Sequence, residues 1–298
     1  MNSSMKREVP LLFTLALTLG AQVRFDKPTV GYIHDHEAKA IRLVSGVAGA
    51  AAFEGAIDAG GAIERAWISP QGFALTQGKL ESAVRYFDWS RGIRQDLMDT
   101  DTAAMSANGR YFALLGAGMV EIWEAGPNRL AKFDAADARG IAVSDDGKAA
   151  LVVTSSGVSI WQQGSLQQIW SGEAIRGADF FSGSHDFAAF DGARNKILTM
   201  RSGALTEIDA KSAGASVFAL SSDGRSVALG GERAIEIVDT ASGLSRLMAI
   251  DSAVEEFTRA GNGELMQVRF RGNARTALLE WAGMTSPQIE FLVSGGAQ

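Results

Sequence analysis

Val143-Ser144-Asp145-Asp146-Gly147-Lys148 is one copy of a phrase that this chain repeats. It reads Met105-Ser106-Ala107-Asn108-Gly109-Arg110 upstream and Leu220-Ser221-Ser222-Asp223-Gly224-Arg225 downstream. An earlier copy is Ser69-Pro70-Gln71-Gly72, and a weakened one follows as Ala260-Gly261-Asn262-Gly263. The turn returns every 37 to 39 residues, with one double gap between Gly147 and Gly224. A degenerate copy at Ser182 to Asp186 stands midway in that gap. A fixed period in this range signals a repeat architecture.

Each repeat has the same internal order. A short apolar segment precedes the turn, as in Ala66-Trp67-Ile68, Ala103-Ala104-Met105, Ile141-Ala142-Val143 and Phe218-Ala219-Leu220. Asn-Gly or Asp-Gly then supplies the positive φ that a tight hairpin needs, and the serine hydroxyl accepts a backbone hydrogen bond. A near-continuous apolar strand follows, at Tyr111 to Leu115, Ala149 to Val153 and Val227 to Leu229, which implies burial on both faces. The third strand alternates and carries a bulky column: Phe87, Trp123, Trp161, Met200, Val238 and Trp281. A weaker fourth strand is visible at Leu130 to Phe133, Leu166 to Trp170 and Ile289 to Val293. Four antiparallel strands in about 38 residues describe a β-propeller blade. Helical repeats of this length would need a 3.6-residue period, which the glycine-punctuated chain lacks.

The predicted fold is all-β, a seven-bladed propeller. Its blades fall near 22–64, 65–102, 103–139, 140–177, 178–215, 216–254 and 255–298. In the first, Val30 to Ile33 and Ala40 to Val44 match second and third strands, and Gln22 to Phe25 offers a first strand. Six blades is the alternative, with the first piece completing the last blade. The ring must close to protect its edge strands, and Pro287 to Val293 is expected to pack beside the first blade or join it. The alanines of the first strands suit the crowded axis, and the large column suits the widening space farther out.

Residues 1–21 read as an export signal, with Lys6 and Arg7 ahead of an apolar run from Leu11 to Leu19 and small residues at Gly20 and Ala21. That run is too short to span a bilayer as a helix. An exported propeller over 22–298, periplasmic or secreted, is the expectation. The chain has no cysteine, which excludes disulfides, thiolate metal sites and a cysteine nucleophile. A net charge of −6 without a basic tract argues against nucleic acid as a partner.

The phrase apolar-Ser-x-Asp/Asn-Gly-Arg/Lys, carried by the three copies quoted first, resembles the bacterial WD-repeat-like and TolB-like β-propellers. The resemblance covers nearly all of residues 22–298. It implies the fold, and it implies ligand contact on the face that bears the hairpins between second and third strands. The Trp-Asp dipeptide of WD repeats is missing from the ends of the third strands, where Phe87-Asp88 and Val238-Asp239 come closest.

His34-Asp35-His36-Glu37 is the one dense cluster of metal-ligand side chains, but it falls where a polar hairpin tip is expected. On the same face, Arg194, Arg233, Arg271 and Arg275 would make a basic rim suited to an anion. With His34 and His36, these are the candidate binding residues. His185 occupies the degenerate turn, where neighbouring serines do not form a catalytic triad by spacing. No catalytic residue, metal or cofactor is assigned. The expected function is a monomeric, non-catalytic scaffold that binds a protein or a small ligand. The alternative is a lactonase-like hydrolase with a metal or acid cluster in the central channel.

Overall fold

The computed structural model describes residues 29–46, 51–212, 214–260, 265–280 and 287–292. They form seven antiparallel sheets, each a propeller blade. Blade 2 consists of Arg65–Ser69, Phe73–Gln77, Ala83–Asp88 and Ile93–Asp99. Blade 3 runs Thr102–Met105, Tyr111–Gly116, Met119–Glu124 and Asn128–Asp134. Blade 4 runs Ala138–Val143, Ala149–Thr154, Gly157–Gln162 and Ser165–Ser171. Blade 5 is Ile175–Phe180, Phe187–Asp191, Lys196–Arg201 and Ala204–Asp209. Blade 6 is Val217–Leu220, Ser226–Gly230, Ala234–Asp239 and Ser245–Ala249. Blade 7 is Val254–Ala260, Leu265–Phe270, Asn273–Glu280 and Gln288–Phe291.

Blade 1 contributes Thr29–Asp35, Ala40–Ser45 and Ala52–Ile57. Their turn identifies them as second, third and fourth strands. Asp35 Oδ1 accepts the N–H groups of Glu37 and Ala38, as Asp191 Oδ1 accepts those of Ala193 and Arg194 between the second and third strands of blade 5. Lys39 and Asn195 take matching φ values of 51° and 53°. The candidate first strand at Gln22 to Phe25 and the signal at 1–21 lie outside the described residues.

The repeated turn works as its chemistry predicts. Ser106, Ser144 and Ser221 donate through Oγ to Asn108, Asp146 and Asp223. Each Oγ in turn accepts a backbone N–H, from Tyr111, Ala149 and Ser226. The turn glycines Gly109, Gly147 and Gly224 all sit at φ +68°, a left-handed conformation that favours glycine. The turns also tie one blade to the next. Asn108 donates its N–H to Asp145 Oδ1 (2.7 Å), and Ser182 Oγ and Gly183 N–H donate to Asp145 Oδ2.

The core is split among the blade interfaces, because each sheet is apolar on both faces and must be covered on both. Seven buried clusters result, one per interface. The cluster of Phe73, Tyr86, Phe112 and Leu114 joins blades 2 and 3, and that of Ile41, Ile63, Ala74 and Phe87 joins blades 1 and 2. Ile33, Val44, Phe53, Ala260, Leu278 and Leu292 close the ring between blades 1 and 7. Gln267 stitches that seam further: its Nε2 donates to the carbonyl of His34 and its Oε1 accepts the His34 N–H. The bulky column lies at one register level, with Phe87 opposite Ala74, Trp123 opposite Phe112, Trp161 opposite Ala150 and Val238 opposite Val227. Gln288–Phe291 pairs within blade 7 as its outermost strand, so it packs beside blade 1 through Ala51 N–H to Glu290 Oε1 and does not join it. Trp281 lies outside the described residues.

Candidate functional site

The first strands of blades 2 to 7 surround an axial channel of about 560 Å³. Small side chains let these strands converge: Ala103, Ala104, Gly140, Ala142, Gly177, Ala178 and Ala219 all line it. The chain enters each first strand from the face that bears the second-to-third-strand hairpins, so the first residues of these strands form the channel mouth on that face. The mouth carries Arg65 on blade 2, Thr102 on blade 3, Arg139 on blade 4, Arg176 on blade 5, Ser216 on blade 6 and Glu256 on blade 7.

Three of these six are arginines. Arg65 donates to the Asp101 carbonyl at 2.8 Å and lies over the Trp67 ring. Arg139 and Arg176 are exposed and have no ion-pair partner among the described residues. Both occupy irregular register steps at the start of their strands, between Ala138 and Gly140 and between Ile175 and Gly177. Gly192 leaves room for the Arg176 shaft, since a Cβ there would come within 3.0 Å of its Cγ and Nε. Glu256 is engaged by Arg269 at 3.1 Å.

At the opposite end of the channel, Asp179 of blade 5 meets Arg259 of blade 7 at 2.6 Å, reaching across blade 6. Burial pushes the Asp179 carboxyl above the usual carboxylate range, and Arg259 opposes that shift. Leucine at position 259 is expected to cost about 2 kcal/mol at neutral pH by leaving this carboxylate unpaired. The cost should shrink as the medium is acidified and Asp179 protonates, which denaturant unfolding at several pH values would read.

The two histidines of blade 1 come together but do not form a solvated tip. The strand continues through His34, which is 3% exposed, to Asp35, and the turn begins at His36. His34 Nε2 donates to the Ile63 carbonyl at 3.1 Å, and its ring meets the His36 ring edge-on at 4.2 Å. They line a recess of about 220 Å³ with Glu64, Arg65, Gln267 and Arg269, adjoining the channel mouth. Desolvation lowers both imidazoles, His36 to about 4, with His34 and Arg269 adding to the effect. Among the described residues no three His, Asp or Glu side chains are grouped to hold a metal ion.

The predicted basic rim does not converge. Arg194 of blade 5 lies over Trp170 of blade 4 and pairs with Glu207 at 3.3 Å. Arg271 pairs with Glu232 and Glu255 on blades 6 and 7, and Arg233 shares a surface groove with Glu232 and Asp251. The Arg275 side chain lies outside the described residues. What sequence reasoning missed is Arg65, Arg139 and Arg176. The signal was available: Arg65, Thr102, Arg139 and Arg176 stand 37 residues apart, in phase with the turn.

His185 repairs the degenerate turn. Its Nδ1 accepts from Gln162 Nε2 and its Nε2 donates to Asp146 Oδ1 at 3.1 Å, bracing blade 5 against blade 4. Burial opposes ionisation of Asp146, but hydrogen bonds from Lys148 N–H, His185 and Ser144 hold it down at about 2.

No known protein-family profile matches the chain, and no curated protein matches it in sequence. Many solved structures share its fold. U3-55K superposes with a TM-score of 0.60 at 13% identity, covering 76% of this chain and 80% of that one. A chain of the mitotic checkpoint complex gives 0.57 at 15%, covering 76% and 77%. A chain of hydrazine synthase from Kuenenia stuttgartiensis gives 0.55 at 15%, covering 72% and 75%. The class is therefore a seven-bladed β-propeller, and likeness at this identity defines the fold alone.

Proposed function

We propose that this protein is an exported, non-catalytic β-propeller that serves as a binding scaffold, receiving a protein segment or small ligand at the channel mouth. The observation that carries this reading is the state of the channel's charged groups. Its two described acids, Asp179 and Glu256, are both held in arginine ion pairs, whereas Arg139 and Arg176 stand free at the mouth. A hydrolase of the lactonase kind needs converging acids to hold a metal or activate water. A binding surface needs unsatisfied groups around a concavity.

Metal analysis of the purified protein, with a lactone and ester hydrolysis screen, tests the reading. The expected result is no stoichiometric metal and no turnover above that of Asp179→Asn and Glu256→Gln variants. Turnover that either variant abolishes would overturn it. Export is tested separately by N-terminal sequencing of the protein recovered outside the cytoplasm, with cleavage expected near Ala21.

A further inference from the structure

We infer that the channel mouth binds an amphiphilic organic anion, its carboxylate or phosphate head on Arg65, Arg139 and Arg176 and a compact apolar body in the shaft below. This deepens the scaffold reading and rests on it.

The head site follows from charge. Three arginines from blades 2, 4 and 5 line one end of one cavity. Among the described residues the single acid lining that end, Glu256, is on blade 7 and is engaged by Arg269. Asp101, Asp137 and Glu173 precede the same strands but are exposed and outside the lining. Guanidinium forks match carboxylate and phosphate oxygens in pairs, and charge-assisted hydrogen bonds of this kind are stronger than neutral ones. Arg65 is already oriented by the Asp101 carbonyl and the Trp67 ring, which lowers the entropy lost on binding.

The body site follows from the next layer of the same strands. Below the arginines the lining is mainly apolar, with Ala103, Ile141, Ala178, Phe218 and Phe257 beside the hydroxyl-bearing Thr258. An inorganic anion would leave that layer wet, while an alkyl or small aromatic group would cover it. At the far end Asp179 and Arg259 neutralise each other at 2.6 Å, so among the described residues the lower shaft offers no free charge to a second polar head. A volume of about 560 Å³ lies within the range of small-molecule pockets.

Isothermal titration of the whole protein with hexyl phosphate and heptanoate tests the inference, with inorganic phosphate, hexanol and an acidic hexapeptide alongside. At least one amphiphile should bind about tenfold or more tightly than phosphate or hexanol, and the tighter of the two identifies the head. The double variant R139Q/R176Q should weaken that binding by about tenfold or more. Both residues are exposed and have no ion-pair partner among the described residues, so its melting temperature should match the parent. The reversal R139E/R176E should abolish anion binding and bind hexylamine instead. Unchanged affinity in R139Q/R176Q, equal binding of hexanol, phosphate binding as tightly as its hexyl ester, preference for the acidic peptide, or no binding at all would each overturn the inference. None of these touches the scaffold reading, which the metal and hydrolysis assays decide.

Discussion

Alanine at Gly224 is expected to destabilise the protein by about 3 kcal/mol, against about 1 kcal/mol for alanine at Gly183. The two glycines sit in first-to-second-strand turns of neighbouring blades, at φ +68° and +71°. Both substitutions therefore force an L-residue into the left-handed region, at a similar backbone cost. Their surroundings differ. A Cβ at Gly183 meets nothing within 4 Å, whereas one at Gly224 runs into the Phe181 ring of the preceding blade. That ring is 5% exposed and is covered by the Arg201 guanidinium, which also donates to the Gly224 carbonyl. It cannot swing away without uncovering the blade 5–blade 6 cluster and breaking that hydrogen bond. The excess of about 2 kcal/mol is thus a measure of contact between blades, on the scale expected for overpacking a filled core. Urea unfolding of the two variants reads it directly. Equal costs would place the whole effect in the backbone and deny the Gly224–Phe181 contact any energetic weight.

That distinction marks what was legible in the sequence. The turn was, because its chemistry is local: serine, aspartate and glycine within four residues dictate one conformation wherever they occur. The blade count followed from its period. Contacts between turns were less visible: Asp145 stands where other copies have Ala107 and Ser222, and only the folded ring shows that it meets Asn108 on the blade before and Ser182 and Gly183 on the blade after. The channel arginines showed in their 37-residue spacing, but not in the strand pattern. Arg139 and Arg176 reach the mouth through irregular register steps, and strict alternation would have assigned them no special face. The reading of His34 as part of a solvated tip failed on a contact that closes the ring. Its burial is imposed by Gln267, 233 residues away, across the closure of the ring. No window of sequence around His34 contains that information. Loop position alone does not show pairing, and Arg194 and Arg271 each have an acid on an adjacent strand or hairpin.

Between pH 6.5 and 4 the unfolding free energy is expected to fall by on the order of 3 kcal/mol through His36 alone. The sign follows from where the protons go. Burial, the neighbouring His34 ring and Arg269 hold the folded imidazole at about 4, while the unfolded one titrates near its ordinary 6.5. In that window the unfolded chain binds the extra proton, so stability is lost as the pH falls and is complete above 6.5. His34 is lowered for the same leading reason and contributes with the same sign. Asp35 and Glu64 face both rings and favour protonation, but burial outweighs them. Asp146 stays outside the window, because its contribution is lost only as the pH falls from 3.8 towards about 2. Asp179 works in the opposite direction: its raised carboxyl takes up a proton in the folded state first, so an Asp179→Asn background isolates the histidines. Urea midpoints at pH 7, 5.5 and 4.5 should decline in that background, and His36→Gln should flatten much of the slope. Ring-proton NMR should show His36 neutral down to pH 5. A His36 that titrates near 6.5, or a flat stability profile, would mean that the recess is wetter than its lining implies. A neutral His36 also means that the positive charge at the channel mouth near pH 7 comes from the arginines. Anion affinity in the parent protein should therefore stay level from pH 8 to 6 for a carboxylate head, which is ionised throughout that range.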